Sequence, residues 1–264
     1  MQTASINGIE MGYRDEGNGL PLLLVHAFPL SGAMWQPQIS ALSERYRVIA
    51  PDLRGFGAST FGDGAETLDQ YADDLLALLD HLHVEKVALG GLSMGGYIAF
   101  ALLRRAADRV SALVLADTKA AADSDEARQT REQNARMVET QGLEPLADQM
   151  LPKLLAGSTP NAQREVVRGI ITTNQPEGIA AALRAMAQRP DSTPQLSAIS
   201  VPTLIMVGSE DTLTPPGEAR KLHAAIKGSQ LVEIPGAAHL SNIEAPDAFN
   251  AAVDAFLGAV GAFA

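Results

Sequence analysis

Between Lys86 and Leu103 the chain reads KVALGGLSMGGYIAFALL, a short apolar run, a glycine-bracketed serine and then apolar residues at helical spacing. Val87, Ala88 and Leu89 predict a buried strand, and Tyr97, Ile98, Ala101 and Leu102 one face of a helix. Between them, Gly91-Leu92-Ser93-Met94-Gly95 is a G-x-S-x-G pentapeptide. A serine on so tight a strand-to-helix turn has its hydroxyl pushed out above the sheet, and only small neighbours tolerate that geometry. Gly91 and Gly95 are those neighbours.

Alone, the pentapeptide is weak, since a chain this long contains one by chance roughly one time in ten. An ordinary glycine-rich turn competes with it, and so does a membrane helix, because Gly91 to Gly95 also spells G-x-x-x-G. The membrane reading fails: the run between Lys86 and Arg104 falls short of the usual ~20-residue span and holds four glycines and a serine. The remainder of the chain must therefore supply a base, an acid and donors for an oxyanion.

At 264 residues, 46% hydrophobic and 19% charged, the chain suits one large soluble domain with a well-buried core. Its net charge of −11 repels a polyanion, so nucleic acid is not expected as a partner. With no cysteine there are no disulfides, thiolate metal sites or cysteine nucleophile. The opening residues show neither a basic stretch nor an apolar core of a secretory signal, so the expected location is cytoplasmic.

Taken in order, Ser5 to Tyr13 predicts an opening hairpin turned at Asn7-Gly8. Pro21 to Val25 is a strand buried on both faces, ending in the loop His26-Ala27-Phe28-Pro29. Met34 to Ser43 reads as a helix and Arg47 to Ala50 as a strand. Gly55-Phe56-Gly57 hints at a dinucleotide loop, but Thr60 stands where the third glycine belongs. Thr67 to His83 is an amphipathic helix opened by a Thr67/Gln70 capping box, and Ala112 to Ala116 is another buried strand. Strand and helix thus alternate, which predicts an α/β fold with a mostly parallel sheet and helices on both faces.

From Lys119 to about Ser197 the sequence turns to Ala, Arg, Gln and Glu broken by prolines, and predicts several short helices in an insertion. Sheet pattern returns with strands at Pro202 to Val207 and Gln230 to Ile234. Helices follow each, at Gly217 to Ile226 and Pro246 to Leu257, and the tail from Gly258 to Ala264 is expected to fray.

Of the five histidines, His81 and His83 end a helix and His223 lies within one, positions that suit surface residues. His26 follows a buried strand. His239 falls in a loop just past the last strand, at the edge of the sheet where ligands bind in such folds. The acid should lie between serine and histidine in the chain. Glu210, Asp211 and Asp117 all qualify; Asp211 is the choice, with Asp117 suited to capping a helix and Glu210 to solvent.

Taken together, VHAFPLSGAMW, APDLRGFGAST, GLSMGG, VGSEDTLTP and PGAAHLSNIEAP resemble, in order and spacing, the α/β-hydrolase fold serine hydrolases. The likeness is greatest to small-ester esterases, 3-oxoadipate enol-lactonases and cofactor-free haloperoxidases or perhydrolases. It implies Ser93 as nucleophile, Asp211 as acid, His239 as base, and the backbone N–H groups of Phe28 and Met94 as an oxyanion hole. It also implies a core of residues 1–118 and 198–264, with a helical cap of 119–197 inserted after the sixth strand. Where the family usually has His-Gly and Gly-His, this chain has His26-Ala27 and Ala238-His239, substitutions expected to tighten the loops and narrow the pocket.

The implied activity is hydrolysis of small carboxylic esters or lactones through an acyl-enzyme on Ser93, a small molecule being the partner, with no metal or organic cofactor. Perhydrolysis and carbon–carbon bond hydrolysis use the same groups. Related dehalogenases and epoxide hydrolases carry an aspartate in place of Ser93, which sets those reactions aside. A non-catalytic alternative is a ligand-sensing protein of the same fold. Met137, Met150, Leu151, Leu154, Leu155, Ile170 and Ile171, with Phe28 and Trp35, are expected to size a mainly apolar pocket. Arg128, Arg131 or Arg136 would bind a substrate carboxylate if turned inward.

Overall fold

The apolar runs form the middle of one eight-stranded sheet in a computed structural model that describes residues 1–62 and 67–261. β1 (Gln2–Ile6) and β2 (Ile9–Glu16) form a hairpin turned by Asn7 and Gly8, whose φ angles of 45° and 80° suit a tight turn. β3 (Leu20–Val25), β4 (Tyr46–Pro51), β5 (Val87–Leu92), β6 (Val110–Ala116), β7 (Thr203–Gly208) and β8 (Gln230–Ile234) complete the spatial order β1-β2-β4-β3-β5-β6-β7-β8. The pairs β1–β2 and β2–β4 are antiparallel and all the others parallel.

The central strands read as continuous apolar runs because both of their faces are covered. Successive side chains divide between two cores. Leu23, Val25, Leu89 and Leu113 pack with α2 (Leu68–His81), α3 (Met94–Ala106) and α8 (Pro216–Ala225). Leu22, Leu24, Ala88 and Val114 pack with α1 (Gln36–Leu42) and α10 (Pro246–Gly261). The Thr67 half of the expected capping box forms, its hydroxyl accepting from the Gln70 N–H at 3.3 Å. α10 stays helical to Gly261, past the point where fraying was expected, because it continues a helix anchored in the core through Phe249, Val253 and Phe256. Residues 262–264 lie outside the described residues.

Between β6 and β7 run four helices: α4 (Asp125–Gln141), α5 (Glu144–Leu154), α6 (Asn161–Thr172) and α7 (Pro176–Ala187). Ser124 caps α4 by accepting from the Ala127 N–H at 3.2 Å, and prolines stand in the first turns of α5 and α7, where no amide hydrogen is needed. Arg184 on α7 reaches Glu132 and Glu139 on α4, while Arg168 on α6 reaches Glu144 on α5.

The Gly55–Gly57 loop is structural rather than phosphate-binding. Asp52 accepts from the Gly32 and Ala58 N–H groups at 2.7 and 2.8 Å, and Arg54 forms a buried two-pronged pair with Asp74 of α2 at 2.8 Å on each prong. A Cβ on Gly57 would lie 2.3 Å from the Asp52 carboxylate, so glycine is required to let this loop close.

Register then places the site. Val25 is opposite Gly91, Leu92 opposite Ala116 and Gly208 opposite Ile234, so the loops after β3, β5, β6, β7 and β8 all open at one sheet edge. A last single turn, α9 (Ser241–Glu244), follows the β8 loop.

Candidate active site

Ser93 sits between β5 and α3 at φ 55° and ψ −111°, a conformation that side-chain-bearing residues rarely hold without support. The support is local crowding that only glycine permits. A Cβ on Gly91 would lie 2.3 Å from the Gly95 carbonyl oxygen, one on Gly95 2.1 Å from that of Val25, and one on Gly96 2.4 Å from the Thr118 hydroxyl. The Ser93 N–H donates to the Ala116 carbonyl at 3.0 Å, and the Thr118 hydroxyl donates to the Ser93 carbonyl at 2.8 Å. The turn is thereby fastened to the end of β6.

Ser93 Oγ lies 2.8 Å from His239 Nε2, and His239 Nδ1 lies 2.8 Å from Asp211 Oδ2. The three residues reach one another across 146 and 28 positions of sequence because β5, β7 and β8 end at the same edge. Asp211 is buried, and it accepts from the Leu213 and Thr214 N–H groups at 2.8 and 3.0 Å and from the Thr214 hydroxyl at 2.6 Å. Burial pushes its carboxyl up, but the hydrogen bond and charge of His239 and the bonds from Thr214 outweigh this and hold it below the ordinary carboxylate value. It stays an anion that orients the imidazole.

The other candidates fall elsewhere. Glu210 is exposed, as are His81, His83 and His223. Asp117 is buried and caps no helix; it accepts from the Gly208 N–H at 2.8 Å and from the Ser241 hydroxyl, and so ties β7 to α9. Burial and the nearby Asp211 charge push its carboxyl well above the usual range.

His26 is no base but a buried fastening. Its Nε2 accepts from the Leu53 N–H at 3.1 Å, which leaves Nδ1 to donate to the Ala27 carbonyl at 3.0 Å, and its ring meets Phe56 edge-on. It thus holds the loop that carries Phe28. Burial lowers its pKa to about 4, the Ala27 hydrogen bond offsetting only part of the effect. The unfolded chain takes up this proton near 6.5 and the folded one only near 4, so stability is full above 6.5 and declines as the pH falls toward 4. The loss should reach about 3 kcal/mol, read as the urea unfolding free energy between about pH 7.5 and 4.5. His26→Gln should show a shallower decline; equal slopes in the two proteins would remove His26 as the cause.

Around Ser93 and His239 is a cavity of about 400 Å³. Its apolar lining comes from Phe28, Tyr97, Met150, Leu183, Met186 and Leu213, and its polar lining includes Lys119, Thr130, Arg131, Asn134 and Lys153. The wall is mixed rather than mainly apolar. Phe28 and Met150 stand where expected, but Trp35, Leu151, Leu154, Leu155 and Ile171 are buried in the core, and Met137 and Ile170 pack partly buried against it. Ala27 and Ala238 are buried and do not themselves line the cavity. Arg131 reaches the cavity, whereas Arg128 and Arg136 are exposed and pair with Asp125 and Glu132 of their own helix. Met94 follows the serine in the chain and Phe28 lines the same cavity, and among the described residues no backbone hydrogen bond outside the helices and strands uses either N–H.

Sequence reasoning passed over Glu244, which lies in the same motif as His239. Its carboxylate accepts from the Ala238 N–H at 2.7 Å, from the Ala156 N–H at 2.7 Å and from the Thr159 hydroxyl, so it joins the histidine loop to the α5–α6 connection. Glu244→Ala leaves these donors unpaired and is expected to cost about 2–3 kcal/mol in urea unfolding, with kcat reduced as well because Ala238 precedes His239. An unchanged unfolding midpoint would show the clamp to be idle.

A serine on a strained strand-to-helix turn, bonded through histidine to a buried carboxylate at the C-terminal edge of a mostly parallel sheet, defines the α/β-hydrolase class. The chain belongs to the α/β-hydrolase fold family, whose pattern it matches over residues 21–246. It is similar to a thermophilic esterase from Thermogutta terrifontis solved with malate bound, at 43% identity and TM-score 0.96 over 98% of this chain and 99% of that one. It is also similar to the enol-lactonase from Burkholderia xenovorans, at 34% identity and TM-score 0.90 over 97% and 100%. In sequence, it is 32% identical to 3-oxoadipate enol-lactonase 2 of Acinetobacter baylyi over 97% of this chain and 94% of that one.

Proposed function

We propose that the chain is a serine hydrolase of small carboxylic esters or lactones, with Ser93 as nucleophile, His239 as base and Asp211 as acid. The observation that carries this reading is the unbroken hydrogen-bonded relay from Ser93 Oγ through His239 to Asp211, open to a cavity at its serine end. As Oγ attacks the carbonyl carbon, its proton passes to His239 Nε2 and Asp211 balances the imidazolium. The carbonyl oxygen becomes an oxyanion held by the Phe28 and Met94 N–H groups, and His239 then protonates the departing alkoxide. Water, deprotonated by the same imidazole, releases the acid. Residues 119–197 act as a cap over this chemistry.

Lactone opening is a second reading, favoured by the enol-lactonases among the relatives. The steps are the same, except that the leaving alkoxide stays tethered to the acyl group. The reading is tested with diethyl p-nitrophenyl phosphate, which should transfer its diethylphosphoryl group to the peptide containing Ser93 as p-nitrophenolate leaves. Hydrolysis of p-nitrophenyl butyrate should fall in proportion to the label. Full labelling with full activity, or a label on another residue, would overturn the assignment.

A further inference from the structure

We propose that the pocket is built for esters or lactones bearing a free carboxylate, which Lys119 binds; this rests on the hydrolase reading of the same site. Lys119 lies just past the end of β6, is partly buried and lines the cavity that holds Ser93 and His239. Among the described residues it has no carboxylate within ion-pair distance and no hydrogen-bond partner. Among the described residues the other partly or fully buried cations each have an acidic or carbonyl partner, as Arg54 has Asp74 and Arg164 has the carbonyls of Ala156 and Thr159. An unmatched ammonium in a half-desolvated position is unfavourable until an anion joins it.

The surroundings are positive as well. Buried Asp123 is shared between Arg131 and Arg189, the latter at 2.7 Å, so one carboxylate faces two guanidiniums and one positive charge is left over before Lys119 adds another. Arg189 is fixed with its guanidinium 4.1 Å from the centre of the Tyr97 ring, and Tyr97 lines the same cavity. Lys153, a further cation on the lining, and Glu126, its other carboxylate, are both exposed. In a chain of net charge −11 with five lysines, two of the five line this one cavity. Burial, with the nearby Arg189 charge, holds the Lys119 ammonium below the usual lysine range, and a carboxylate against it would oppose both effects.

Two matched pairs of substrates test the inference on the full chain and on its Lys119→Met and Lys119→Arg variants. One pair is p-nitrophenyl hydrogen adipate and its methyl-capped diester, with the carboxylate on the acyl side. The other is 4-acetoxybenzoate and its methyl ester, with the carboxylate on the alcohol side. In the wild type, kcat/KM should favour the acid by about tenfold or more in at least one pair, mainly through KM. Lys119→Met should bring that ratio close to one, and Lys119→Arg should keep most of it. Each ratio is internal to one protein, so a loss of folded fraction does not move it. Wild-type ratios at or below one in both pairs, or a preference that survives Lys119→Met, would overturn the carboxylate site while leaving the hydrolase reading standing. Failure of the wild type to turn over any of the four esters would remove the hydrolase reading and this inference with it.

Discussion

Ser93→Ala should lower kcat for p-nitrophenyl acetate by about 10⁴ to 10⁶ without unfolding the protein. The serine hydroxyl is the group that His239 Nε2 contacts at 2.8 Å, and water in its place lacks the fixed geometry of a covalently held nucleophile. The fold should survive because the turn is held by backbone bonds to β6 and by the packing of Gly91, Gly95 and Gly96, none of which uses the Ser93 hydroxyl. Steady-state kinetics beside circular dichroism checks both halves of the expectation. A fall of less than tenfold would sink the assignment of Ser93.

Asp211→Asn should cost nearly as much, about 10⁴ in kcat. The two oxygens of Asp211 face only donors: the Leu213 and Thr214 amides, the Thr214 hydroxyl and His239 Nδ1. An asparagine NH₂ would meet one of those donors head-on, or turn the imidazole to the tautomer that can no longer accept the serine proton. Asp117 is not free to replace it, being bonded to Gly208 and Ser241. Because pairing holds the Asp211 carboxyl below its ordinary 3.8, the stability it supplies is present above that value and is lost as the pH falls through the lower folded-state value. Activity within tenfold of wild type would instead mean that His239 is oriented by another group.

Much of this was legible in the chain for definite reasons. β3, β5, β6 and β7 announced themselves because strands covered on both faces have no polar side to interrupt the apolar run. The serine turn was legible because its backbone demands glycine at fixed positions, and Asp211 and His239 because each stands in a stretch, VGSEDTLTP and PGAAHLSNIEAP, that carries the family resemblance. α4 to α7 were legible as short helices of a cap, but not which of their side chains face the pocket. On α5, Met150 reaches the cavity while its neighbour Leu151 is buried in the core, since one residue along a helix turns about 100°.

The sequence by itself determined the sheet, the order of its elements and the three residues of the relay, since each depends on local patterning or on motif order along the chain. Only the tertiary structure decided what surrounds them. Glu244 gained its role by meeting Ala156, more than eighty residues away in sequence. His26 became a neutral fastening because the fold buries it, and Leu53 offers its Nε2 an amide hydrogen. Arg131, one of three arginines that the sequence offers equally, turns to the cavity and is paired with Asp123, whereas Lys119 has no such partner, and Asp123 is also taken by Arg189, which follows the end of α7. Burial and pairing of charge belong to neighbours in space, and spacing along a chain does not encode which neighbours those will be.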